Sequence, residues 1–156
     1  MNDIRRRTVG GLKAGDTFSL VRTFTEKDVE SFRVLTRDHN PIHSSDRFVA
    51  LKGFNGRICH GLLVGGMITE VGGQMGWLAS GMSFRFKRPV YFNDTITCRC
   101  TLTEVDENCR AAAEAVFSNQ HGEIVLEASL YGVLPNVEER EVLRALLDSG
   151  ASTPTP

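Results

Sequence analysis

The stretch TRDHNPIHSSD, residues 36–46, gathers Asp38, His39, Asn40 and His43 around Pro41. A free aspartate titrates at about pH 4 and a free histidine at about 6.5, so a carboxylate and an imidazole on one stiff turn supply both partners of general acid/base chemistry near neutrality. Asp38 and His43 are the natural pair. Pro41 sets the backbone between them, and the Asn40 side chain can hydrogen-bond nearby backbone and stiffen the turn. The plainer alternative is that Asp38 only ends a helix while Asn40 and Pro41 only turn the chain, which the residue types equally allow. No metal is expected. Pro41 breaks the helix that would bring His39 and His43 to one face, and Cys59 beside His60 fits no zinc pattern.

A helix must deliver this turn. Thr25 and Asp28 have capping-box spacing, and Val29, Phe32 and Leu35 follow at helical intervals, which predicts a helix over 26–37 ended by Pro41. Before it, TFSLVRTFT alternates like a half-buried strand, and after it SSDRFVALKGF suits a short helix with NGR as a turn. The segment 61–79, GLLVGGMITEVGGQMGWLA, is about as long as a membrane span and has GxxxG pairs at Gly61/Gly65 and Gly72/Gly76. Glu70, Gln74 and six glycines argue instead for a buried central helix starting near His60, whose glycines admit close approach to a sheet. Met67, Met75, Trp77 and Leu78 on it belong to a core or line a pocket.

From residue 81 the apolar period becomes two. Met82, Phe84 and Phe86 alternate with Ser83, Arg85 and Lys87, and Ile96, Cys98, Cys100 and Leu102 alternate with threonines and Arg99, with Asn93-Asp94 as the turn between. CRAAAEAVFS and EIVLEASLYGVL around NQHG read as a hairpin. The pattern predicts an α+β fold, an antiparallel sheet wrapped round one glycine-rich helix, in a single domain over 1–136. Residues 137–148 suit a short helix with Val142, Leu143, Leu146 and Leu147 on one side, and 149–156 a disordered tail.

Composition narrows the function. A chain of 156 residues with 41% apolar and 24% charged residues is ordinary for one globular domain, and a net charge of −1 argues against nucleic acid. The cysteines, Cys59, Cys98, Cys100 and Cys109, form no CxxC pair and suit reduced core positions in a cytoplasmic protein. MNDIRRRTVGG lacks the apolar stretch of a signal peptide or anchor, so no membrane association is expected.

DHNPIHSSD followed by GRICHGLL resembles the signature of the MaoC-like, (R)-specific enoyl-CoA hydratases, Asp-x-Asn-Pro-[Leu/Ile/Val]-His, matched by Asp38, Asn40, Pro41, Ile42 and His43. SFRFKRPVYFNDTI is similar to the family's Phe-x-x-Pro-Val-x-x-Gly-Asp segment, with Asn93 in place of glycine. The likeness spans about residues 15–135. It implies a hot-dog fold, an acyl-CoA thioester as substrate, a homodimer or higher homo-oligomer, and no cofactor, coenzyme A being part of the substrate. It implies reversible syn addition of water to a trans-2-enoyl-CoA, giving the (R)-3-hydroxyacyl-CoA. Asp38 is then the principal base, His43 its partner on the water, and the Gly61 backbone N–H the donor to the thioester oxygen. Asn40 and Thr69 are supporting groups, His60 is structural, and Arg57, Arg85, Lys87 and Arg88 are candidates for the coenzyme A phosphates or a solvated strand face. Alternatives are a 3-hydroxyacyl-ACP dehydratase or thioesterase of the same fold, or a non-catalytic acyl-CoA-binding module. Glu70 is the sole acid on the central helix, and the intact Asp38 and His43 disfavour the thioesterase.

Overall fold

The structure is a computed structural model that describes residues 2–149, so the expected tail lies, beyond Ser149, outside the described residues. Five antiparallel strands, β1 (Thr17–Thr23), β2 (Leu78–Phe86), β3 (Thr95–Val105), β4 (Arg110–Ser118) and β5 (Ile124–Val133), form one sheet in the order β1-β3-β4-β5-β2. The alternation read from the sequence carries β3, whose Ile96, Cys98, Cys100 and Leu102 are fully buried. β4 and β5 form the expected hairpin. β2 and β3 do not pair across the Asn93 turn: β2 joins β5 at one end of the sheet and β3 lies between β1 and β4. Asn93 adopts φ 69°, a left-handed value that asparagine tolerates well.

The glycine-rich segment lies against the sheet as two short helices, α4 (Gly61–Gly65) and α5 (Met67–Met75), joined at Gly66. Val64, Met67, Ile68, Val71 and Met75 enter the same core as the inward residues of β3, β4 and β5. The helix stops short of residue 79 because Gly76 turns left-handed at φ 68°, and Leu78 already belongs to β2. Among the described residues no helix is long and apolar enough to cross a membrane.

Helix α2 (Glu26–Thr36) has the expected capping box, Thr25 Oγ1 accepting from the Asp28 N–H while Asp28 accepts from the Thr25 N–H, and α3 covers Asp46–Leu51. Leu35 is not on its buried face: it is 81% exposed, since only Val29 and Phe32 reach inward. An unforeseen helix, α1 (Asn2–Gly10), buries Ile4 and Thr8, one turn apart, and Arg5 donates to the carbonyls of Gly73 and Gln74 at the end of α5. Its sequence carries too few apolar residues for the pattern to stand out. Helix α6 (Val137–Asp148) packs on α1, half-covering Leu143 and Leu147 but leaving Val142 and Leu146 exposed.

Candidate active site

Arg37 ends α2 in the left-handed region, at φ 58°, and turns the chain so that Asp38 leaves the helix axis. Two side-chain turns follow: Asp38 Oδ1 accepts from the Asn40 N–H at 3.1 Å, and Asn40 Oδ1 from the Ile42 N–H at 3.2 Å. Pro41 then opens a single 3-10 turn, Pro41–His43, that carries His43 inward to 9% exposure. The two acceptors stiffen the loop locally.

His43 is held from a second direction. Its Nδ1 lies 2.8 Å from the carbonyl oxygen of Ile58, which can only accept, so Nδ1 is the protonated nitrogen and Nε2 of the neutral ring offers a lone pair. Nε2 is 3.8 Å from Asp38 Oδ2. Two acceptors at that distance do not bond each other, but one water between them can donate to both.

Ile58 bridges to Tyr91, and the Cys59 N–H bonds the Val90 carbonyl at 2.7 Å, so the chain enters α4 beside Asp38 and His43. Gly61 is the first residue of α4, and its N–H belongs to the first turn, which has no intrahelical acceptor. A side chain there would meet the ring of Phe86, which lies against this glycine.

These groups open on one cavity of about 690 Å³. Phe32, Thr36, Ile58, Leu62, Phe86 and Leu126 supply much of its wall, Asp38, His43, His60 and Gly61 its polar corner, and Lys87 and Arg88 a basic margin. Sequence reasoning missed the wall residues on α2 and β5, whose only signal was an apolar residue in a strand or helix. Cys59 lines the cavity too, with its thiol pushed up to about 12, chiefly by burial, so it is no nucleophile here.

Not every expected group comes to this corner. Thr69 is exposed, donates to the Gly66 carbonyl at 2.7 Å and faces a separate cleft with Trp77 and Met82, because the helix turn sends it away from the cavity. Arg57 is tied to Glu26 at 2.6 Å and Asp46 at 3.2 Å, and Arg85 lies with Glu127 in a groove on another part of the sheet. Of the four basic candidates, Lys87 and Arg88 line the cavity. Met67 and Met75 are core, and Leu78 is exposed.

Asp38, His43 and His60 bring ligand-type atoms within 4.8 Å of one another. The two imidazoles stack at 3.7 Å between centroids and 25° between planes, and the Nε2 atoms of both lie 3.8 Å from Asp38 Oδ2.

The model of the MaoC-like domain family matches residues 13–123. A 3-hydroxybutyryl-CoA dehydratase of Methylorubrum extorquens is 30% identical over 143 residues, 89% of this chain and 91% of that protein. An (R)-specific enoyl-CoA hydratase of Rhodospirillum rubrum is 30% identical over 128 residues, 80% of this chain and 89% of that one. The solved (R)-hydratase of Aeromonas caviae superposes with a TM-score of 0.75 at 28% identity, covering 80% of this chain and 98% of that one.

Proposed function

The chain belongs to the MaoC-like dehydratase family, and from that premise we propose that it adds water reversibly to trans-2-enoyl-CoA to give the (R)-3-hydroxyacyl-CoA. The observation that carries this reading is the acceptor pair, Asp38 Oδ2 and His43 Nε2, 3.8 Å apart at the corner of an apolar cavity. A water donating to both has its oxygen lone pairs free for the substrate. Conjugation with the thioester makes C3 of the enoyl group electrophilic. Asp38 takes one proton as the water oxygen bonds C3, the π electrons move toward C2 and the thioester oxygen, and C2 then takes a proton from the same corner, so that one water is added in all.

The thioester oxygen carries negative charge midway, and the Gly61 N–H is the proposed donor to it; one such donor is worth about 10²–10³ in rate. Asn40 holds the loop, and Lys87 and Arg88 at the basic margin suit the phosphates of coenzyme A. The proposed reaction needs no metal or other cofactor, coenzyme A being part of the substrate. We infer a homodimer as well, supported by β2, an end strand of the sheet with Leu78 and Met82 exposed. Cytoplasmic residence is inferred from four cysteines that form no disulfide.

The test is loss of the conjugated enoyl-thioester absorbance on adding the protein to crotonyl-CoA and then to longer enoyl-CoAs. Bleaching by the native protein, lost in folded Asp38→Asn and His43→Ala, is the expected result. No bleaching at any chain length overturns the reading.

A further inference from the structure

His60 is the feature of this corner that its sequence context did not foreshadow. It is 2% exposed, yet neither ring nitrogen has a hydrogen-bond partner. A buried polar atom left so is expensive, and a core-filling role would be served better by an apolar ring. The ring is packed on both sides, against His43 at 3.7 Å and the Phe32 ring at 5.0 Å, so it is held in place. Its Nε2 points toward Asp38 Oδ2, 3.8 Å away, the same oxygen that His43 Nε2 faces at 3.8 Å.

We propose that His60 is a positioning residue for the hydration step, a neutral imidazole whose Nε2–H holds the Asp38 carboxylate at the reacting water while its face holds the His43 ring. The inference rests on the hydratase reading above. The division of labour follows from donor count. His43 has spent its N–H on the Ile58 carbonyl and presents an acceptor, so Asp38 and His43 both demand hydrogens from the water. The Asn40 N–H holds Oδ1 of Asp38 at 3.1 Å, which leaves Oδ2, the oxygen that faces the water, without a protein donor of its own. His60 is the one neighbour in the stack with an N–H to give, and its 3.8 Å separation from Oδ2 is within the looseness common to catalytic hydrogen bonds before substrate binds. Burial first, then the neighbouring His43, lowers the His60 pKa, which keeps the ring neutral; the Asp38 carboxylate and carbonyl oppose this, and Arg33 adds slightly to it.

Two substitutions separate positioning from filling. His60→Phe keeps an aromatic ring and the stack but removes the donor; His60→Gln removes the ring but returns an N–H near the Nε2 position. The proposal expects His60→Phe to fold normally and lose kcat about 10- to 100-fold, the range for one hydrogen bond to a charged group, with KM little changed, and His60→Gln to recover part of the loss. A filler would give the reverse order, with the phenylalanine variant active and the glutamine variant impaired, and that order overturns the proposal. Nitrogen-15 spectra of the native protein give a readout independent of turnover. They are expected to show His60 as the neutral Nε2–H tautomer at pH 7; the Nδ1–H tautomer or a cation overturns the proposal even if hydration is observed. If no enoyl thioester is hydrated, the hydratase reading falls, and these spectra still decide whether His60 holds Asp38.

Discussion

The two ends of the α4–α5 helix are built on opposite plans. At its start, His60 has no partner for either ring nitrogen, Asp38 and His43 face each other as acceptors, and the first-turn N–H groups open on a cavity. At its finish, Arg5 donates to the carbonyls of Gly73 and Gln74, the Gly76 N–H bonds Gly73, and the Trp77 N–H bonds Gly72 at 2.9 Å. Pro135 and Leu143 close over Gly76. The Trp77 indole N–H at the finish is also buried without a partner, but it faces no acid or imidazole, whereas the unspent groups at the start lie together on the cavity, so one end is arranged to act and the other to hold.

The contrast is sharpest in activity. Asp38→Asn preserves shape and removes the base, and it is expected to lower kcat by about 10²–10⁴ while the melting temperature stays near the native value. A variant that keeps its activity would place the base elsewhere and break the comparison at its functional end.

A pair of glycine substitutions crosses the two ends. Gly61→Ala meets the ring of Phe86, which is 55% exposed and free to swing outward. Turnover is expected to fall about tenfold or more as the ring leaves the cavity wall, with a stability loss below about 1 kcal/mol. Gly76→Ala meets no such soft neighbour, because φ 68° itself is unfavourable for a side chain and Pro135 stands 3.2 Å from the new carbon. It is expected to cost about 1–2 kcal/mol in denaturant melts and leave turnover unchanged. If both variants lose the same quantity, the division is wrong.

The smallest effect is in the pH dependence of stability. His60 has a folded pKa below its ordinary 6.5 because burial disfavours the cation. Above about 6.5 both states are neutral and the contribution is constant; as pH falls below it the unfolded chain takes up a proton that the folded chain resists, so stability drops until the folded pKa is reached. Thermal melts from pH 7.5 to 5 are expected to show this decline in the native protein and a shallower one in His60→Gln. Equal slopes would mean that His60 is not the buried titrating group.

Much of the acting end was legible in the chain. Asp38, Asn40, Pro41 and His43 lie within six residues, and the bonds that shape them run to backbone two or three residues away, so residue type alone predicts the turn. The Thr25–Asp28 cap and the alternation of β3 were equally local. The holding end was not legible, because α1 is tied down by Arg5 meeting carbonyls about seventy positions away and by Ile4 entering the common core, and the helix stop depends on the conformation of a single glycine among six. The basic residues failed for a similar reason. Arg57 and Arg85 look alike in sequence to Lys87 and Arg88, and all four have acidic neighbours, Glu26 and Asp46 for Arg57, Glu127 for Arg85 and Lys87, and Glu123 for Arg88, so only their place in the fold separates those held elsewhere from those on the cavity.

By itself, then, the sequence determined the turn that holds an acid and an imidazole, the caps and periods of the main elements, and the α+β class, since all of these follow from contacts within a few residues. Tertiary structure decided that β2 pairs with β5, that Thr69 turns away from the cavity, and that His60 stacks on His43 against Asp38. Those outcomes depend on packing between distant segments, where a residue's role is set by what the rest of the chain brings to it.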